Sequence, residues 1–197
     1  KHGHYKRFPI MGTLIMAAGV FLMIGLSIDT PYWQVAIYEI MVGAGLGLSM
    51  QTMVIALQNA VDFKDMGVAT SSNTFFRSLG SVFGTALFGA ILTNRLTHYM
   101  ATGFADLAKT NPKALAGFDP NALKEITSNT SVLQKFPIEV KTTALQAFVN
   151  SFHIVFLAAG PIILAGFFVA LFLRETPLRT SHDYAAAREE AAGEALG

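Results

Sequence analysis

The first long apolar stretch of the sequence is PIMGTLIMAAGVFLMIGLSI, at residues 9–28. It contains no charged side chain. About 20 predominantly apolar residues in a helix are long enough to cross the hydrocarbon core of a bilayer. Pro9 suits the start of a helix, because the amide hydrogen that proline lacks would have no partner in the first turn. The stretch therefore predicts a transmembrane helix.

Three further apolar stretches predict additional membrane spans. With the first span they give four, at residues 9–28, 32–57, 69–92 and 147–174. The first three spans fill residues 1–94, and residues 95–146 between the third and fourth spans predict a long polar external loop. Short helices on the membrane surface are expected in this loop, and residues 140–148 are expected to lead helically into the fourth span. Residues 175–197 predict a polar cytoplasmic tail. The predicted fold class is an all-α integral membrane protein with four transmembrane helices and a long extracellular loop before the last one.

The composition supports a membrane protein. Apolar residue types make up 52% of the chain and charged types only 14%, whereas soluble domains carry about 25% charged residues. The net charge of +1 argues against a nucleic-acid partner, and the absence of cysteine removes disulfides, thiol catalysis and thiolate metal ligands. Because the chain begins at Lys1 within a basic stretch, we interpret it as a fragment of a longer protein.

The basic residues around the first span predict the orientation. Lys6 and Arg7 precede this span, and the turn after it contains no lysine or arginine. Because cytoplasmic segments carry an excess of basic residues, we expect the N-terminus in the cytoplasm. Four spans return the chain to the same side, so both ends of a multi-pass protein of the cell membrane are expected to be cytoplasmic.

Glu39 is the acidic side chain of the second span. It lies about seven residues into the helix, roughly 10 Å along its axis. A carboxylate there is costly in lipid and is expected to face a cavity or a partner, where it could take up and release a proton. Alternatively, Glu39 lies near the outer interface and simply reaches water. The same helix carries Gln51 and Gln58 near this face, which makes all three candidates for a transport pathway.

Arg77 lies on a polar stripe of the third span, shared with Asn73 and several hydroxyl side chains. A polar stripe of this length in a span is expected to point toward water or other helices, so Asn73 and Arg77 are also pathway candidates. The alternative is that Arg77 extends to the cytoplasmic headgroups and anchors the helix there.

Glycines recur in the second and third spans. In membranes, small residues allow helices to approach closely, so these positions predict helix packing and, beyond that, sliding or gating between packed helices. The candidate residues are Gly43, Gly45, Gly47, Gly80 and Gly84.

Motifs for enzymatic chemistry are not found in the sequence. We find no arrangement of serine, histidine and aspartate typical of hydrolases, no phosphate-binding loop and no HExxH zinc motif. We therefore expect no enzyme, no catalytic residues, no metal site and no cofactor.

Four segments, in this order, resemble a known family. They are YKRFPIMG at residues 5–12, VGAGLGLSMQ at 42–51, GVATSSNTFFRSLG at 67–80 followed by Gly84, and FLRETPLR at 172–179. Together they look like the C-terminal part of a fourteen-helix drug/proton antiporter of the major facilitator superfamily. The resemblance covers nearly the whole chain, but Glu39 matches none of its motifs.

The resemblance implies a function and a set of partners. The four spans would be the last helices of a helical bundle that exports amphipathic or cationic drugs by alternating access, driven by inward proton flow. The partners would be the lipid bilayer, the small-molecule substrate, protons and the missing N-terminal helices of the same parent chain. Two alternatives remain: a major facilitator carrier for another small solute, or a self-contained four-helix membrane scaffold or partner subunit.

Overall fold

The structure, a computed structural model, describes residues 6–115, 126 and 130–173. Four α-helices cover most of these residues: α1 (Arg7–Ile24), α2 (Tyr32–Ala60), α3 (Met66–Thr110) and α4 (Ile138–Leu171). Short 3₁₀ helices lie at Phe63–Asp65, Pro112–Leu115 and Thr130–Lys135. Within the described ranges there is no β-strand, so the predicted all-α fold class is confirmed.

All four helices are long and apolar enough to cross a membrane. The helix α3 is the longest, with 45 residues that extend over roughly 67 Å at about 1.5 Å per residue. A hydrocarbon core of about 30 Å, even crossed at a tilt of about 40°, takes up only about 40 Å of helix. A large part of α3 therefore lies outside the hydrocarbon if the helix spans it.

The described residues divide into two compact units, and the first contains residues 6–17, 41–82 and 163–173. Here the start of α1 packs against the middle of α2 at Gly12 and Gly45. A Cβ atom added at Gly45 would overlap the Gly12 carbonyl oxygen and lie 2.7 Å from the Met16 backbone nitrogen. The buried Thr13 hydroxyl donates a hydrogen bond to the Pro9 carbonyl oxygen at 2.8 Å, so its polar group is satisfied within α1.

The second unit contains the described residues of 18–40 and 83–162, and an apolar cluster in it joins the end of α3 to the beginning of α4. The α3 residues of this cluster follow each other at intervals of four, which places them on one helix face. The buried members are Leu96, Met100, Phe104, Ile126, Leu133, Val140, Ala144 and Ala147. This packed hairpin of two helix ends covers part of the stretch that the sequence assigns to an external loop.

Two contacts in the second unit join α1 and the turn after it to α4. A ring nitrogen of the half-buried His153 lies 2.6 Å from the Leu26 carbonyl oxygen. Further along α4, the Phe21 ring covers Gly160, where an added Cβ atom would lie 3.5 Å from the ring. These contacts hold α1 and the short turn after it against α4.

The helices differ from the predicted spans mainly at their ends. Within the predicted external loop, residues 95–110 continue α3 without a break, where only short helices are expected, and residues 138–146 begin α4, close to the helical run expected from residue 140. The physical reason is that these segments bury an apolar face against each other, whereas a span is recognised by uninterrupted apolar length. The helix α1 ends at Ile24, before its predicted end at Ile28, and the tail at 175–197 lies outside the described residues.

Candidate functional site

In the first unit, α2 and α3 form the walls of an open groove of about 590 Å³. The α2 side is apolar, and the α3 side combines a guanidinium with two hydroxyl groups. The lining residues are Leu46, Met50, Arg77, Ser78, Ser81 and Val82. The sequence positions these side chains because they recur at intervals of three and four residues, which share one face of a helix.

A second opening of about 260 Å³ adjoins the first and shares two of its residues, Met50 and Arg77. Its other lining residues extend the soft, apolar surface of α2 and add the Asn73 amide of α3. The full lining is Ser49, Met50, Met53, Val54, Asn73, Phe76 and Arg77. We refer to the two openings together as the Arg77 groove.

Arg77 is the charged residue of this groove. Its side chain is exposed, and among the described residues it has neither a hydrogen-bond partner nor an ion-pair partner. A guanidinium offers five N–H donors and no acceptor, so it can bind a group that supplies oxygen lone pairs. Methionine side chains opposite it are flexible and polarizable and can adapt to ligands of different shape.

Several hydroxyl groups near the groove are already engaged with the backbone of their own helix. The Ser49 hydroxyl donates to the Gly45 carbonyl oxygen at 2.9 Å, and the Thr74 hydroxyl donates to the Thr70 carbonyl oxygen at 3.0 Å. Such bonds to the preceding turn satisfy a hydroxyl donor in an apolar environment. The polar stripe of α3 is therefore partly satisfied by the helix itself.

The structure brings only some of the predicted pathway residues together. Asn73 and Arg77 line the groove, whereas Gln51 is exposed and Gln58 is half-buried, and neither lines it. Glu39 belongs to the second unit, where its side chain is exposed. A role in transport stays a prediction for all five residues.

The predicted glycines also separate into two groups. At Gly45 the backbones of α1 and α2 approach so closely that a side chain would not fit. At the other four positions, Cβ atoms would meet no atom within 4 Å in the part of the chain that the structure describes. These open positions are Gly43, Gly47, Gly80 and Gly84, and their part in packing or gating stays a prediction.

Sequence reasoning missed three lining residues, Ser49, Met53 and Ser78. The signal that could have found Ser49 and Met53 is their spacing, because they lie four residues apart along α2 and Met53 lies three residues from Met50. Ser78 directly follows Arg77 and lies beside it in the wider opening. Phe76, the apolar neighbour of Arg77 in the sequence, also lines the narrower opening.

The second unit has a groove of its own, of about 410 Å³, between the end of α3 and the beginning of α4. Its lining includes threonine side chains and the Gln146 and Asn150 amides beside apolar residues. The amide nitrogen of Gln146 donates to the Asn150 side-chain oxygen at 2.9 Å, and Asp106 pairs with Lys109 at 3.7 Å, so these groups already have partners.

Comparison with known proteins finds transporters over most of the chain. An uncharacterized MFS-type transporter of Mycobacterium tuberculosis is 37% identical over 92% of this chain and 24% of its own length. The multidrug transporter protein MdtP of Bacillus subtilis is 32% identical over 92% of this chain and 36% of its own length. The tetracycline resistance determinant of Streptomyces rimosus is 28% identical over 97% of this chain and 59% of its own length.

No family model matches the chain, and no solved structure matches it. The four apolar helices and the transporter relatives together define the class, which is a multi-pass membrane protein. More particularly, the resemblance to transporters of the major facilitator superfamily is confirmed, and the chain matches a fragment of longer multidrug and efflux transporters.

Proposed function

We propose that the chain is part of a proton-coupled secondary transporter that exports amphipathic or cationic drugs by alternating access. The observation that carries this proposal is the 32% identity to a multidrug transporter over 92% of the chain. The order of the family-like segments along the sequence supports it, as do four helices apolar enough to span a membrane. In transporters of this kind, one helical bundle rocks against another around a central site.

The exposed surface of α3 supports the proposal that further helices of the same parent chain are its partners. In the part of the chain that the structure describes, no residue in the most apolar stretch of α3 is buried. Its apolar side chains, such as Phe83 at 67% exposure, suit lipid, whereas the stripe with Asn73 and Arg77 does not. We place the missing helices and the transport pathway on the side of this stripe, and lipid on the other.

Glu39 is the proposed proton-handling group of this part of the transporter. It is a carboxylate within an apolar helix, and intramembrane acids commonly belong to ion or proton pathways. We further propose that the protein resides in the cell membrane with both ends of the described chain in the cytoplasm.

A transport assay with the full-length protein tests this function. Proteoliposomes are given an inward proton gradient, and efflux of a fluorescent cationic dye is followed for wild type and for Glu39→Gln. We expect gradient-driven efflux by wild type and its loss in Glu39→Gln, because the amide cannot bind and release a proton. Tetracycline serves as a second cargo, since one relative is named as a tetracycline resistance determinant.

Glu139→Gln is the matched control, because Glu139 is an exposed acid in the first turn of α4 and is expected to leave efflux unchanged. Equal efflux by wild type and Glu39→Gln would mean that Glu39 is an interfacial residue and that export does not depend on it. An absence of efflux for every cargo, with or without the gradient, would overturn drug/proton antiport and favour another small solute.

A further inference from the structure

Resting on the transporter function above, we propose that the Arg77 groove binds those amphipathic compounds that carry an anionic group. The anionic group contacts the Arg77 guanidinium, and the apolar part of the compound lies against Met50 and Phe76. In this proposal, anionic amphipathic cargo has a defined binding site beside Arg77.

The first argument is the state of the Arg77 guanidinium. It is exposed in the groove and has no acceptor among the described residues. A guanidinium presents its donors in a planar fork that matches the two oxygens of a carboxylate or sulfonate. Of the groups that a small molecule can offer, an anionic oxygen pair complements this side chain best.

The second argument is the depth of Arg77. Counted from the predicted start of the span at Ala69, Arg77 lies about 12 Å along the helix. The midplane of a hydrocarbon core of about 30 Å lies about 15 Å from either surface. On this count the Arg77 backbone lies within the hydrocarbon, so a ligand in the groove competes with the lipid headgroups for the guanidinium.

The third argument is the apolar and adaptable wall that faces Arg77. Met50 and Met53 of α2 and Phe76 of α3 line the narrower opening around it. Thioethers and aromatic rings favour flat apolar groups of variable shape. A small, fully polar acid would gain nothing from this wall, so the wall selects amphipathic anions over simple organic acids.

The charge of Arg77 also separates this cargo from cationic drugs. A positive ligand centred in the groove would lie beside a like charge in a medium of low dielectric, which is unfavourable. Within the proposed range of cargo, cationic compounds are therefore bound away from Arg77, and only the anionic ones depend on it.

A pair of probes with one ring system and opposite charges tests this assignment. Binding of pyrenebutyrate and of pyrenebutyl trimethylammonium to the full-length transporter in nanodiscs is measured by equilibrium dialysis, with empty nanodiscs subtracted. For Arg77→Gln we expect a Kd for pyrenebutyrate that is about tenfold higher or more, the loss of one charge-assisted interaction. The Kd for the ammonium probe is expected to stay unchanged or to fall.

Two further variants sharpen the comparison. Arg77→Lys keeps the charge but loses the planar fork, so we expect an intermediate Kd for pyrenebutyrate. Arg95→Gln removes an exposed arginine from the same helix outside the groove and is expected to change neither Kd.

Three results would overturn the assignment. Equal weakening of both probes by Arg77→Gln would mean that Arg77 pairs with an acid elsewhere in the transporter. No change for either probe would mean that Arg77 only anchors α3 at the headgroups. No binding of pyrenebutyrate by wild type would remove the anionic cargo itself. Dye efflux by the same wild-type protein tells these failures apart from a failure of the transporter function, because efflux does not require an anionic cargo.

Discussion

Two glycines bring the backbones of α1 and α2 into contact. A Cβ atom at Gly12 would lie 2.7 Å from the Gly45 carbonyl oxygen, and one at Gly45 would overlap the Gly12 carbonyl oxygen. The two nearest atoms at Gly45 are backbone atoms, which cannot move aside as the end of a flexible side chain could, and at Gly12 the Ser49 hydroxyl oxygen also lies in the way, at 2.5 Å. Close approach of this kind is the main use of small residues between membrane helices.

Gly45→Ala is therefore expected to destabilise the packing of α1 against α2. Separating the two helices to admit a methyl group costs about 1–3 kcal/mol, as overpacking of a tight interface generally does. The measurement is the thermal unfolding midpoint of the full-length protein in detergent, which should fall.

Gly43→Ala is the matched control, because a Cβ atom there meets no described atom within 4 Å. It lies two residues away in the same helix and should leave the midpoint unchanged or raise it slightly, since alanine favours a helix more than glycine does. Equal losses for the two variants would show that glycine matters here for the helix itself and not for the approach of α1.

The helices α3 and α4 continue beyond their apolar spans, and these extensions pack against each other. Leu96, Met100 and Phe104 present one face of α3, and Val140 and Ala144 are fully buried beneath them. A polar outer surface and an apolar inner face are the pattern of a helix pair in water. We therefore expect this hairpin to lie in water and to be stabilised by the hydrophobic effect, which contributes nothing between helices in lipid.

Phe104→Ala is expected to loosen the hairpin. Phe104 is only 7% exposed, and replacing a buried phenylalanine by alanine costs about 3–5 kcal/mol in a packed core. Hydrogen exchange of the backbone amides in residues 96–110 should become faster, and the amides of α1 should be unaffected.

Phe83→Ala provides the comparison, since Phe83 lies on the same helix with 67% of its surface exposed. It removes the same group from a position without a packed core, so exchange in residues 96–110 should match wild type. If Phe104→Ala also left this exchange unchanged, the apolar cluster would not hold the two helix ends together.

The four membrane spans are easier to predict from the sequence than the hairpin formed by the ends of α3 and α4. The four spans are predictable because an uninterrupted apolar length of about 20 residues is characteristic of a helix that crosses a bilayer. The helical extension of α3 is harder to predict, because its polar composition is typical of a loop. Its signal is periodicity, since Leu96, Met100 and Phe104 recur at intervals of four.

The two turns that flank α2 are expected to lie on opposite sides of the membrane. The chain has no cysteine, so single cysteines at Asp29 and Lys64 can be labelled selectively in a parent protein that is otherwise free of cysteine. Both positions are exposed. In intact cells, an impermeant maleimide should label Asp29→Cys, and Lys64→Cys should react only after the membrane is opened.

Labelling of Lys64→Cys but not of Asp29→Cys in intact cells would reverse the predicted orientation. Labelling of both would contradict α2 as a spanning helix. A cysteine at Thr102, which is exposed in the α3 extension, should behave like the one at Asp29 if that extension lies outside the cell.

The candidate site is less predictable than the fold. Asn73 and Arg77 can be selected from the sequence of one helix, because polar side chains in a span are costly in lipid and are expected to face water or protein. Their pairing with Met50, Met53 and Ser49 depends on how α2 faces α3, and no residue pattern within one helix determines that. The sequence predicts helix contacts at five glycines alike. Only the structure shows that Gly45 is the one among them that meets another described helix, because spacing alone does not identify it.

The hydroxyl of Ser49 lies at the contact between α1 and α2. It donates to the Gly45 carbonyl oxygen at 2.9 Å, and its oxygen would lie 2.5 Å from a Cβ atom at Gly12. Ser49 also lines the narrower opening of the Arg77 groove, so one residue of α2 belongs to both surfaces. A movement of α1 along α2 would therefore alter the wall of the groove at this residue without any change in α3.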